Sequence, residues 1–419
     1  MKRRPRRPRR FVLILLLLAF ACLPASGGAA VSVAGAAADV RLLVSTIESQ
    51  HPSPFHGISK EALEAAGEAL AARADGMHRD ELVVELMRLI ASLGERDGHS
   101  GIYPGDEHSP RLHLYPLKLY DFSDGLVVVG ESGVAGALGA RLVAIEGRPI
   151  AEVVAMVRPL IARDNEWQRR LLAPEFLVTA EVLHGLGVTP SAERATFTLE
   201  SSSGRREVQL APLPSSKYTS QFGFPGQMQP VGVSRPPLWI RNRAKSQAVT
   251  LLQRGRVVYV TYNSTGPTDA LAERIVRLAR KRVFRLLIVD VRLNGGGDNT
   301  TYFSLVNALR HRAVNRYRPP ALLIGRVTFS AAGNFVTDVE RRTRARLFGE
   351  PTGGAPNQWG DAAQFRLPNV GLRYYLPRYY VQRSTPDDPR VTTEPHVRVD
   401  LSSADWFAGR DPVLEAALR

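Results

Sequence analysis

A β-strand that is apolar on both faces must be covered on both faces, and the segment RLLIVDVR, residues 285–292, reads as such a strand. It lies in a stretch from Val257 onward where short apolar runs alternate with amphipathic ones: VVYVTYN, Leu271 to Ala279, RLLIVDVR, Ser304 to Leu309, and ALLIG. Such alternation predicts a mostly parallel sheet flanked by helices, an α/β domain. Residues 39 to about 95 are patterned differently, with Leu42, Leu43, Ile47, Leu82, Leu86 and Leu89 recurring at helical steps. From Leu112 to Ile150 the runs LHLYPLKLY, GLVVVGE and ARLVAIEGRPI alternate like short strands, and ATFTLESSSGRREVQLAPL reads as a hairpin turning at SSSG. The segment 214–243 is rich in Ser, Gly, Pro and Gln, which predicts a linker or mobile loop. The whole chain is therefore α+β around an α/β core.

Charge sets the N-terminus apart. Lys2, Arg3, Arg4, Arg6, Arg7, Arg9 and Arg10 precede the apolar run Phe11 to Cys22, and small residues follow, the pattern of a secretory signal. The run is short for a membrane span of about 20 residues. A retained signal anchor and lipidation at Cys22 are the two alternatives. Without this segment the net charge of +15 falls to about +8, and its arginines are scattered rather than clustered, which argues against a nucleic-acid partner. Cys22 is the chain's one cysteine, so an exported form contains neither disulfide nor thiol chemistry.

Two segments could carry a reaction. In LLIVDVRLNGGGDN a buried strand opens into Gly295, Gly296 and Gly297, a backbone able to turn its amides toward an anion or a developing oxyanion. Asp298 and Asn299 stand where a phosphate loop needs Lys and Ser or Thr, so phosphate binding is disfavoured. In ALLIGRVTFSAAGNF, Ser330 sits between a strand and a helix. There it is either a capping residue or a nucleophile beside the Ala331 amide. A nucleophilic serine needs a base. Lys281 is the last lysine, which excludes a downstream lysine. Histidine remains: the α/β region offers His311 and His396, and outside it His99 lies in the loop Asp97-Gly98-His99-Ser100 between the helical region and the strands. The other histidines show no metal-ligand spacing on one predicted helix, so neither metal nor cofactor is expected.

These residues resemble the tail-specific, or C-terminal-processing, serine peptidase family, whose core is similar to Clp protease and the crotonases. The resemblance rests on DGHS at 97–100, VDVRLNGGGDN at 289–299, TFSAAGNF at 328–335, FGEPTGG at 348–354 and STPDDPRVTTEPHVRVD at 384–400, in the family's order. GARLVAIEGRPIAEV at 139–153 looks like part of a PDZ domain. In the family's Ser-Lys branch the lysine would fall near Ala355, so the chain resembles the tricorn-like branch that uses histidine. That resemblance implies Ser330 as nucleophile, His99 as general base and acid, and amides of Gly296, Gly297 and Ala331 as oxyanion hole. It also implies Asp388 as the acid orienting His99, with Asp387 and Glu394 as rivals. The tricorn type has a serine just before its histidine, where this chain has Gly98.

The implied organisation is a signal at 1–38, a helical cap with the DGHS loop at 39–110, a PDZ-like module at 111–162, an insert and linker at 163–243, and a Clp/crotonase-like protease core at 244–419. The expected activity is that of an exported serine endopeptidase acting on peptide or protein substrates. A non-catalytic binding protein on the same scaffold and a small-ester or thioester hydrolase are the alternatives.

Overall fold

A computed structural model describes residues 33–106, 112–281 and 284–419; residues 1–32 of the expected signal lie outside it. The C-terminal sheet is the predicted one. Its strands run in the order Val397–Arg398, Arg346–Gly349, Ala321–Ile324, Leu286–Asp290 and Val257–Tyr262, all parallel, with Gln247–Leu252 added antiparallel at the edge. Alternation along the strands builds two apolar faces. Val258, Val260, Leu287 and Val289 pack with Ile275, Leu305 and Phe335 from the helices Asp269–Arg280, Phe303–Arg310 and Ala331–Arg342. Tyr259, Leu286 and Ile288 face the other way, against Val413 and Ala417 of the helix Pro412–Leu418. The charged end of the central strand stays inside by mutual pairing. Arg292 donates to Asp290 and Asp411, both buried, so its guanidinium ties the strand to the C-terminal helix rather than facing a ligand.

The cap consists of the helices Ala36–Gln50, Lys60–Ala74 and Arg79–Ala91, with Leu43, Ile47, Leu63, Leu70, Leu86 and Ile90 turned inward. Ser59 caps the second helix by accepting from the Ala62 amide, and His78 caps the third by accepting from that of Asp80. In the β module, Leu117–Phe122, Gly125–Glu131 and Arg141–Ile145 form one antiparallel sheet. The predicted hairpin, Ala195–Ser201 with Gly204–Leu210, continues this sheet through pairing with Arg141–Ile145, so it extends the module rather than belonging to a separate insert.

Two segments knit cap to core. The long hairpin Asn357–Leu367 and Leu372–Gln382 leaves the core in sequence but buries Leu367, Leu372, Tyr374 and Leu376 in the cap's apolar cluster. It also pairs Tyr375 with Gly101 and donates the Trp359 amide to the Arg96 carbonyl. The segment 214–243 differs from the expected linker. It contains the helices Ser215–Phe222 and Leu238–Arg241, and buries Phe222, Met228, Val233, Trp239 and Ile240. Its apolar residues are too widely spaced to show as a periodic run, yet each finds a neighbour in the folded chain.

Candidate active site

Ser330 stands at the N-terminus of the helix Ala331–Arg342 with φ 53° and ψ −129°. A positive φ strains a side-chain-bearing residue by about 1–3 kcal/mol, and such strain persists only where surrounding structure enforces it. The hydroxyl makes no capping hydrogen bond to its own helix. Instead Oγ lies 3.0 Å from His99 Nε2. Its oxygen is therefore not spent on the helix amides as a capping serine's would be.

The DGHS loop reaches the core through its backbone. The Phe329 ring stacks on His99 at 4.4 Å between centroids, and the hairpin brings Gly360 so near that a Cβ there would lie 3.9 Å from His99 Cε1. Burial lowers the His99 pKa from 6.5 to about 4, against the opposing pull of Asp97, the Trp359 backbone and Asp361. The residue as a whole is half-buried, so the chemistry depends on the direction of the shift: His99 is neutral at pH 7 and able to accept a proton.

Among the described residues, no carboxylate is hydrogen-bonded to the imidazole. His99 Nδ1 is buried without a hydrogen-bond partner, and the Trp359 backbone acts on the ring from short of full hydrogen-bond geometry. Asp388, expected to orient His99, is engaged elsewhere: its oxygens accept from Arg390 Nε at 3.0 Å and Nη2 at 2.8 Å, and Arg390 bridges onward to Glu340. Those bonds hold the Asp388 carboxyl well below the usual carboxylate range. Its loop still borders the DGHS segment, since Arg96 donates to the Asp388 carbonyl at 2.8 Å. The rivals Asp387 and Glu394 are both exposed, and neither bonds to His99.

The glycine loop packs against the serine. A Cβ on Gly296 would lie 2.8 Å from Ser330 Cβ, 3.2 Å from its Oγ and 3.3 Å from the Ala331 nitrogen, and Gly296 has φ +123°. Only glycine leaves that space open. The expectation that Gly296 donates to an oxyanion is corrected, because its amide is already given to Asn294 Oδ1 at 3.0 Å. The Gly297 and Ala331 amides donate to no acceptor among the described residues, which leaves them for a bound oxygen.

Beside these groups lies a cavity of about 320 Å³ bordered by Gly98, Gly295 and Phe329, with Leu171, Leu172, Phe224 and Val327 giving it apolar walls. The Phe224 wall is fixed from behind: Lys118 Nζ donates to the Gly223 and Phe224 carbonyls at 3.0 Å each and pairs with buried Glu175 at 3.3 Å. A larger groove between Asp269–Arg280 and Phe303–Arg310 shares no residue with this site.

Two groups of possible metal ligands, His51 with His56 and Asp97, and His78 with Asp80 and His184, each lie within 4.8 Å. In each, one histidine Nδ1 already accepts a backbone amide, from Ser53 to His51 and from Asp80 to His78. That places the ring proton on Nε2, so these clusters read as hydrogen-bonded networks.

No family model and no curated protein sequence matches this chain. Solved structures do. A serine-to-alanine mutant of CPAF is similar with a TM-score of 0.62 at 12% identity, over 91% of this chain and 96% of that one. Mature CPAF complexed with lactacystin is similar with a TM-score of 0.59 at 14% identity, over the same shares. The chain has the CPAF fold. The photosystem II D1 C-terminal processing protease is also similar, with a TM-score of 0.41 at 14% identity over 91% of this chain and 99% of that one. These neighbours are tail-specific serine peptidases, and CPAF matches this chain across cap, module and core together. At such identities the likeness carries the fold, and the chemistry has to be argued from this chain's own residues.

Sequence reasoning missed Asp164, Asn165 and Gln168. Asn165 caps the helix Glu166–Phe176, accepting from Trp167 and Gln168, and the local sequence shows only that role. Gln168 fills the space beside Gly98: a Cβ there would lie 2.1 Å from Gln168 Oε1, so a side chain at 98 would require the Gln168 carboxamide to shift.

Proposed function

We propose that the protein is a serine endopeptidase that cleaves peptide bonds through an acyl-enzyme on Ser330, with His99 as general base and then acid. The observation that carries this reading is the 3.0 Å approach of His99 Nε2 to a Ser330 Oγ that its own helix leaves uncapped. His99 takes the hydroxyl proton as Oγ attacks the substrate carbonyl carbon. The carbonyl oxygen becomes an anion in reach of the Ala331 and Gly297 amides, each such donor contributing about 3–4 kcal/mol at comparable sites. The imidazolium then gives its proton to the departing amine, the acyl–nitrogen bond breaks, and water enters by the same path to release the acid and restore Ser330. With no carboxylate on Nδ1 among the described residues, the Trp359 backbone is the polar neighbour that favours a proton on Nδ1, which leaves Nε2 free to accept that of Ser330, while the Phe329 stack holds the plane of the ring.

The Leu171, Leu172, Phe224 and Val327 walls of the cavity support a substrate residue with an apolar side chain next to the scissile bond, with the carboxylates of Asp106 and Glu175 as polar points of the same lining. The basic and apolar N-terminus supports export, with the mature enzyme outside the cytoplasm. Digestion of casein and of a peptide library, read by mass spectrometry, tests the activity. New peptide termini should form with the wild type and fall by at least ~10³ in Ser330→Ala and His99→Ala. Turnover of small esters with no peptide cleavage would replace the peptidase reading by that of an esterase.

A further inference from the structure

The two residues of the site sit on loops far apart in the chain, and a single carboxylate touches both the loop that carries His99 and the segment that packs behind Ser330. Asp164 Oδ1 accepts from the Gly98 amide at 2.7 Å, and Oδ2 accepts from the Ala355 amide at 2.9 Å. Gly98 immediately precedes His99. Ala355 follows Gly354, whose Cα carries no side chain because a Cβ would press on Phe329 Cα at 3.3 Å and on the Ser330 nitrogen at 3.4 Å. One oxygen thus holds the segment carrying the base, and the other holds the segment backing the nucleophile. Neighbouring residues reinforce both grips. The Arg96 and Asp97 amides donate to the Asp164 and Arg163 carbonyls, Gln168 Nε2 donates to the Gly98 carbonyl at 3.1 Å, and Asn165 Nδ2 donates to the Thr352 and Gly353 carbonyls at 3.1 Å each.

We propose that Asp164 is a positioning residue for the reaction described above, a latch that sets the distance from His99 to Ser330 while ionised and releases it when protonated. The proposal rests on the Ser-His reading and extends it to regulation by pH. Its physical basis is the number of lone pairs. A carboxylate accepts two amides at once through separate charged oxygens, whereas in the protonated acid one of them becomes a hydroxyl, a weaker and uncharged acceptor that must also place its own O–H, so one of the two bonds is weakened. The groups that face Asp164 are Asp97, Arg96 and Tyr103 of the DGHS segment, the Gly98 and Ala355 amides, and neutral Gln168. Burial dominates, and with Asp97 it outweighs the two amides and Arg96, raising the pKa from 3.8 to about 7. The latch therefore closes as pH rises through neutrality, well above the range in which His99 itself titrates.

The test follows fluorophosphonate incorporation at Ser330 between pH 5.5 and 8.5. In the wild type the rate should rise at least about tenfold through pH 7. In Asp164→Asn it should be slow and flat over the same range, since an amide side chain accepts one of the two bonds and opposes the other. A second readout needs no variant: in the wild-type protein the Gly98 and Ala355 amide resonances should shift together with one apparent pKa near 7. A limb that survives in Asp164→Asn, a wild-type rate flat across neutrality, or amides that do not titrate together would each overturn the latch while leaving the nucleophile in place. Absence of incorporation at every pH would overturn the Ser-His reading itself, and the latch with it.

Discussion

His99 Nε2 and Ser330 Oγ meet at 3.0 Å although 231 residues separate them in the chain. The meeting depends on Phe329, which stacks on the imidazole from the residue next to the serine, and on the hairpin Asn357–Leu367 with Leu372–Gln382, which returns from the core to pair with the cap. Each contact also buries apolar surface, so the site is held by the same packing that joins the two lobes.

The glycine loop gives a paired prediction. Gly296→Ala adds a methyl 2.8 Å from Ser330 Cβ at a residue with φ +123°, and should lower peptide cleavage by at least ~10² while the chain still folds. Gly295→Ala meets no protein atom within 4 Å and only borders the cavity, so it should lower cleavage by no more than about tenfold. Steady-state kinetics with circular dichroism checks both, and equal effects at the two positions would contradict the placement of Gly296 against the nucleophile.

Asp388 gives a negative prediction. Because its carboxylate is spent on Arg390, Asp388→Asn should leave fluorophosphonate labelling within about threefold and lower stability by about 1 kcal/mol, a figure held down by the solvent exposure of Arg390. The Asp388 pKa lies below its unfolded value, so this contribution is present above pH ~4 and is lost as pH falls further. A loss of labelling of ~10² or more would return Asp388 to the role of orienting acid.

Enclosure of His99 should be visible directly. Its imidazole should titrate well below 6.5, near 4, when followed by the ring resonances in NMR. A depressed pKa means that the imidazole itself is unprotonated over the whole range above it and gains its proton only in acid, below the pH at which the Asp164 carboxyl titrates. A ring pKa at or above 6.5 would contradict the buried placement.

The core was legible in the sequence because strands buried on both faces leave runs such as LLIVD with no polar interruption, and the helices between them keep a regular spacing. Ser330 and His99 were legible through the short motifs around them. What the sequence did not show was anything arising from main-chain hydrogen bonds between distant segments. Gly296 looks like a donor until Asn294 is seen to take its amide. Asp388 looks free until Arg390, two residues on, is seen to fold back on it. Asp164 looks like a helix-flanking polar residue, because the amides it accepts belong to Gly98 and Ala355, far away on either side in the chain. The segment 214–243 failed as a linker for a related reason: Phe224, exposed to solvent, becomes a cavity wall only once Lys118 grips its carbonyl.

The pairing of His99 with Ser330 is tested most directly by the site and rate of fluorophosphonate attachment, located by tandem mass spectrometry of the intact wild-type protein and of His99→Ala. The account predicts a single adduct on Ser330, formed at least ~10³ times more slowly when the imidazole is removed. Attachment elsewhere, or attachment to Ser330 at an unchanged rate without His99, would contradict it.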